Sequence, residues 1–302
     1  MKKLPYTPLY AALLSLGLGV SYPAFGGGSS LPDEPQAQSP ATQSVQSEVD
    51  DKVTDKADAK RKKILADAGT AIEATEAALQ SLDENNTEAA LQSLEKATGK
   101  LELILAREPE LSLAPVDVDV ATYDLMASLD TVKAVIEDAE DFLEDGRIQE
   151  ARPLVANLAS EIVIRTTSIP LATYPDAIRA ITPLIDEGKI DEARAELRAA
   201  LNTLVVTDEI YPLPILRAEQ LLDNAEALAE DEERTIKDNE TLADLLADAR
   251  KQLKMAELLG YGTEETFKPM YEQLDQIGDK TTGGEGGKGW FDKIKAQLSE
   301  ML

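Results

Sequence analysis

The chain has 302 residues, 43% of them hydrophobic but only 4% aromatic, and carries a formal net charge of -27. So acidic a surface repels phosphate backbones and anionic headgroups, which argues against nucleic-acid binding. Histidine and cysteine are both absent, which excludes Ser-His-Asp and Cys-His catalysis, disulfides, and conventional zinc, copper or haem sites.

At the N-terminus, Lys2 and Lys3 precede an apolar stretch from Leu9 to Val20 and small residues around Phe25. This is the pattern of a secretory signal peptide, residues 1–26. The stretch is shorter than the ~20 residues of a membrane span, so cleavage after Gly26 and a periplasmic or secreted location are expected. Residues 27–48, rich in Gly, Ser, Pro and Gln, offer too little apolar surface to offset chain entropy and read as a flexible linker. A folded helical domain is expected over 49–279, a Gly-rich linker over 280–289 and a separate amphipathic helix over 290–302.

Within the domain, apolar residues recur at helical spacing. Ile64, Ala68, Ile72, Thr75, Leu79 and Leu82 share one face, as do Leu125, Leu129, Val132, Ile136, Ala139 and Leu143, and again Leu242, Leu245, Leu246, Ala249, Leu253 and Ala256. Strict alternation occurs only in the short VDVDV run at Val116–Val120. The block LEDGRIQEARPLV from Leu143 returns as IDEGKIDEARAEL from Ile185, with Gly146 and Gly188 at matching places. Each glycine follows an apolar stripe, where a helix end favours positive φ, and Gln149 or Asp191 can cap a following helix. Asn85 fills the same slot in a weaker third copy. Each copy then meets a proline, Pro109, Pro170 or Pro212, expected to end a helix. Pro183 should kink its helix or delay its start. The period exceeds that of a tetratricopeptide repeat and the aromatic signature is missing. The expected fold is all-α: a compact multi-helix bundle of antiparallel helical hairpins with Pro-rich connections.

Carboxylates are so abundant that no pair stands out as catalytic. Asp117 and Asp119 lack the loop pattern of a calcium site, the run Glu230–Glu233 reads as a solvated helix end, and no phosphate-binding glycine motif follows a strand. No metal or cofactor is expected. The segments IPLATYP (Ile169–Pro175) and IYPLPILRAE (Ile210–Glu219) occupy equivalent places after consecutive repeats. If they pack together, Tyr174 and Tyr211 with Arg165 and Arg217 line an amphipathic pocket; alternatively both rings fill the core. In the tail, Trp290, Phe291, Ile294, Leu298 and Met301 share one helical face beside Lys293 and Lys295. Docking on the body or a sister subunit is the leading reading, and interfacial membrane contact the other.

An export signal, the two LEDGRIQEAR-like blocks, PLPILRAE at Pro212–Glu219 and LGYG at Leu259–Gly262 together resemble the YfdX family of bacterial exported proteins, over roughly residues 64–274. The resemblance implies an all-helical periplasmic domain able to self-associate and linked to stress, acid stress included. It implies no catalytic residues, and Arg217, Glu219 and Tyr261 inside the resembling blocks read as structural. The expected function is non-enzymatic: a stress-associated periplasmic protein that binds partner or client proteins in a chaperone-like way. The alternative is a small-molecule module at the Tyr174 and Tyr211 loops, taking a small amphipathic ligand.

Overall fold

The computed structural model describes residues 38–282 and 289–302. The expected signal peptide and the first part of the expected linker lie outside these residues. The described chain begins with α1 (Pro40–Ser44) and α2 (Gln46–Arg61), so the linker expected to reach residue 48 ends earlier. The reason is an apolar stripe that starts in its second half: Val45, Val49 and Val53 recur every four residues and are all buried.

Three units of two helices and a strand follow: α3 (Ala66–Asp83), α4 (Thr87–Arg107) and β1 (Leu113–Tyr123); α5 (Leu129–Glu144), α6 (Ile148–Ala156) and β2 (Glu161–Pro170); α7 (Tyr174–Asp186), α8 (Ile190–Leu201) and β3 (Val205–Pro212). The helices of each pair are joined through one left-handed residue: Asn85, Gly146 or Gly188, with φ of 59°, 73° and 74°. After it, the next N–H reaches back to a carbonyl five residues earlier. Asn86 donates to Ser81 O (2.8 Å), Arg147 to Phe142 O (2.7 Å) and Lys189 to Leu184 O (2.8 Å), which closes each helix in a Schellman turn. Gln149 and Asp191 do not cap: α6 and α8 start at Ile148 and Ile190, which places both residues inside the first turn. Pro183 lies within α7 near its C-terminal end.

The three strands form an antiparallel sheet in the order β1-β2-β3. The expected all-α bundle is thereby corrected to a helix-dominated fold with a small sheet. Segment 161–170 concentrates Ile162, Val163, Ile164, Thr166, Thr167 and Ile169, and segment 205–207 reads Val-Val-Thr. Such β-branched density favours pleated backbone over helix. Pro170 and Pro212 therefore close strands rather than helices, while Pro109 does follow the end of α4. The VDVDV run lies in β1, an edge strand whose register shifts between Pro115 and Asp117, a position where proline costs no ladder bond.

Among the described residues, packing divides into three cores. The α3–α4 and α7–α8 hairpins face each other across Ala68, Ala71, Ala78, Leu94, Leu101, Ile178 and Leu197, where alanines let the helices approach closely. C-terminal to β3, α9 (Leu213–Ala229), α10 (Ile236–Leu258), α11 (Glu264–Thr282) and α12 (Asp292–Ser299) build a second helical core with Val45. All six stripe residues of α10 are buried there, and a reciprocal Thr235–Asp238 capping box starts that helix. In the third core, α2 lays Val49, Val53 and Ala57 across the sheet residues Val118, Ile162, Ile164 and Tyr211. The expected 280–289 linker is entered by α11, and residues 283–288 lie outside the described chain. Among the described residues, no helix is long and apolar enough to cross a membrane.

Candidate functional site

Tyr174, Tyr211, Arg165 and Arg217 do not assemble into one pocket. Antiparallel pairing sets equivalent strand ends at opposite edges of the sheet: Pro212 lies opposite Glu161 and Tyr211 opposite Ile162, whereas Tyr174 follows the far end of β2. At about 3.4 Å per residue, the length of β2 puts roughly 30 Å between these ends. Tyr174 is wholly buried in the four-helix core. Its hydroxyl meets no partner in hydrogen-bond geometry, although Thr75, which donates to Ala71 O (2.8 Å), stands beside it. Burial pushes the Tyr174 phenol up to about 12.

Tyr211 sits in the core under α2, donates to Glu209 Oε2 (2.8 Å) and lies beneath Lys56 Nζ, 4.5 Å from the ring centre. Burial, reinforced by the Glu209 carboxylate, pushes its phenol up to about 12. Arg165 is exposed on the sheet and donates through Nε and Nη2 to both oxygens of Asp208, each at 2.8 Å. That pairing raises the guanidinium pKa and lowers that of the carboxyl. The two tyrosines therefore fill cores, and Arg165 staples two strands.

Arg217 reaches a cavity. Buried on α9, it donates to Asp124 Oδ1 (3.0 Å) and Oδ2 (2.7 Å), and to Gln46 Oε1 through Nε (3.1 Å) and Nη2 (2.9 Å). Gln38, with its amide oxygen turned toward the guanidinium, accepts from Nη2 at 2.8 Å. Nearby, buried Asp248 accepts from the Ser39 hydroxyl and from Lys251 Nζ (2.9 Å). These groups tie the N-terminal helices to α9 and α10, and Gln38, Ser39, Arg217, Asp248 and Lys251 among them line a cleft of about 430 Å³ with Met126, Pro214 and Met255 as apolar floor. Glu219 likewise pairs with Lys52 of α2. Tyr261 accepts from Ser160 N (3.0 Å) and donates to Glu161 Oε2 (2.8 Å). Burial raises its pKa. Asp117 and Asp119 stand opposite Thr167 and Arg165 on the sheet, and among the described residues no three metal-ligating side chains cluster.

A second feature escapes any reading of local pattern. The repeated hairpin blocks are buried differently. Ile185 is 5% exposed and Leu197 fully buried, because α7–α8 packs on α3–α4. Their counterparts Leu143 and Val155 are 49% and 52% exposed, and Ile148 is 61% exposed. Of the α5–α6 hairpin, only Val132, Ala139 and Ala151 are buried. Its apolar stripe, Ile136, Ala139 and Leu143, joins Val155, Leu158 and Leu258 to line an open groove of about 290 Å³.

The tail helix docks on the body. Phe291, Ile294 and Leu298 are fully buried in the second core, with Trp290 and Met301 packed partly buried at its edge. Burial opposes charge on Lys295, but hydrogen bonds to Asp223 (2.6 Å) and Glu226 (2.7 Å) outweigh it and raise its pKa.

With this geometry in place, comparison with known proteins is specific in one stretch. Residues 71–210 match the family described as YfdX protein. No curated protein matches. A solved structure of YfdX from Salmonella Typhi aligns at 15% identity and a TM-score of 0.35, covering 50% of this chain and 93% of that one. The PLPILRAE and LGYG blocks lie C-terminal to the matched residues. The resemblance of this chain to the YfdX family is thus shown, and it rests on residues 71–210, which hold the hairpin–strand units.

Proposed function

We propose that the protein works outside the cytoplasm as a non-enzymatic, stress-associated factor that binds partner or partly unfolded client proteins in a chaperone-like way. The observation that carries this reading is the α5–α6 hairpin, whose Leu143 and Val155 stay exposed although the same block elsewhere buries their counterparts. A contiguous apolar surface on a strongly acidic protein is the kind of feature that marks an interaction site. The test is light scattering of a heat- or acid-stressed client. Aggregation is expected to be suppressed by the wild-type chain and not by Leu143→Glu/Val155→Glu; no suppression at any ratio overturns the reading.

A second reading, small-molecule binding, is favoured by the Arg217 cleft rather than by the two tyrosines. A cleft of about 430 Å³ with a few convergent polar groups over an apolar floor suits a small amphipathic ligand. A ligand-dependent rise in melting temperature, abolished by Met255→Trp without loss of fold, supports it.

A further inference from the structure

We propose that the groove between α5, the end of α6 and the C-terminus of α10 docks a cationic amphipathic helix. This deepens the partner-binding reading and rests on it. The floor is apolar, with Ile136, Ala139 and Leu143 at helical spacing and Val155, Leu158 and Leu258 opposite. Glu140 lines the groove itself, and Glu137 and Glu144 continue the same side of α5. Within the hairpin, Lys133 engages Glu137 and Arg147 engages Glu150. Glu140 supplies the acidic rim, with Glu144 one turn further along α5.

The same molecule covers two comparable surfaces in this way. Helix α12 inserts Ile294 and Leu298, together with Phe291 that precedes it, into the second core, while Lys295 bonds Asp223 and Glu226 on the rim. Helix α2 lays Val49, Val53 and Ala57 on the sheet, while Lys52 engages Glu219, Lys60 engages Glu209 and Lys56 covers Tyr211. In both, apolar residues spaced about one turn apart fill the surface and lysines beside them meet carboxylates. The α5–α6 groove presents the receiving half of that arrangement. A second copy of this hairpin is a poorer occupant, because it brings its own acidic rim against Glu140 and Glu144, and like charges set face to face oppose association. A partner helix with apolar residues at i, i+3 or i+4 and i+7, flanked by lysine or arginine, complements both floor and rim.

The test uses the full chain and a labelled synthetic helix of leucine and lysine patterned to one apolar face, followed by fluorescence anisotropy. Controls are the same composition scrambled to remove that face and a version with glutamate for every lysine. The patterned peptide is expected to bind, and more weakly as salt rises. Leu143→Glu/Val155→Glu should weaken it by at least ~10-fold, as should the rim variant Glu140→Lys/Glu144→Lys, which leaves the apolar floor intact. Equal binding of patterned and scrambled peptides overturns the proposal, since it reports only diffuse attraction to an acidic chain. Binding that both variants leave unchanged overturns it too. If sedimentation shows self-association that Leu143→Glu abolishes, the occupant is a second copy and the cationic helix is rejected. Should Leu143→Glu/Val155→Glu abolish client protection while no peptide binds, the interaction surface stands and only the partner class falls.

Discussion

Val155 and Leu197 hold the same place in two copies of one hairpin, yet the first faces solvent and the second is fully buried. Leu197 belongs to a core shared by two hairpins, so truncating it removes apolar burial and leaves a cavity. Leu197→Ala is expected to cost about 2–5 kcal/mol. Val155→Ala removes an exposed side chain and is expected to stay within about 0.5 kcal/mol. Urea unfolding of both variants, compared at constant m-value, checks the contrast. Equal costs would mean that the α5–α6 face is covered in solution.

The turn residues give a backbone test. Gly146 and Gly188 have positive φ, and a Cβ added to either meets no atom within 4 Å, so substitution there reads backbone conformation alone. Gly146→Ala and Gly188→Ala are each expected to cost about 1–2 kcal/mol. Asn85 stands at φ 59° in the third copy, so Asn85→Gly is expected to be neutral or slightly stabilising. Thermal melts of the three variants check the order.

Asn85, Gly146 and Gly188 were recognisable as equivalent turns because left-handed backbone restricts residue type so strongly. The α10 stripe from Leu242 to Ala256 was legible because one helix face meets one core. The strands are less legible where the apolar run Ile162–Ile164 leads to Pro170: a short apolar run suits either a buried strand or a helix, and only its β-branched content separates the two. The sheet then determined the fate of the expected pocket, since antiparallel pairing is what parts Tyr174 from Tyr211. The exposure of Leu143 and Val155 has no local signature, because it depends on which hairpin pairs with which.

Arg217 and Asp124 supply the polar counterpart. The guanidinium is buried, and the carboxylate that meets both of its Nη atoms is partly exposed. Asp124→Ala leaves a buried charge with only neutral amide partners and is expected to cost about 2 kcal/mol, below the usual cost of breaking a fully buried pair because water reaches that side. Adding Arg217→Met to Asp124→Ala should recover part of the loss, since a methionine of similar reach removes the uncompensated charge. Arg217→Lys should not substitute, because an ammonium cannot reproduce the two-pronged geometry. A double-mutant cycle in urea gives the coupling directly.

Tyr174 makes stability fall at alkaline pH. Its phenol is raised from 10.0 to about 12 by burial, so between those values the unfolded chain has lost a proton that the folded chain retains. Stability falls with pH wherever the folded state binds more protons than the unfolded state. The contribution of Tyr174 is intact below pH 10 and declines above it, by about 2–3 kcal/mol on reaching pH 12 at ~1.4 kcal/mol per unit. Tyr211 acts in the same direction. Tyr174→Phe removes both the titration and a buried hydroxyl without a hydrogen-bond partner, so it is expected to leave stability at neutral pH unchanged or raise it by up to about 1 kcal/mol. Denaturant midpoints of wild type and Tyr174→Phe should therefore separate further as pH rises from 9 to 12. Parallel curves would mean that the Tyr174 hydroxyl ionises in the folded protein as freely as in the unfolded one, and that the four-helix core admits water there.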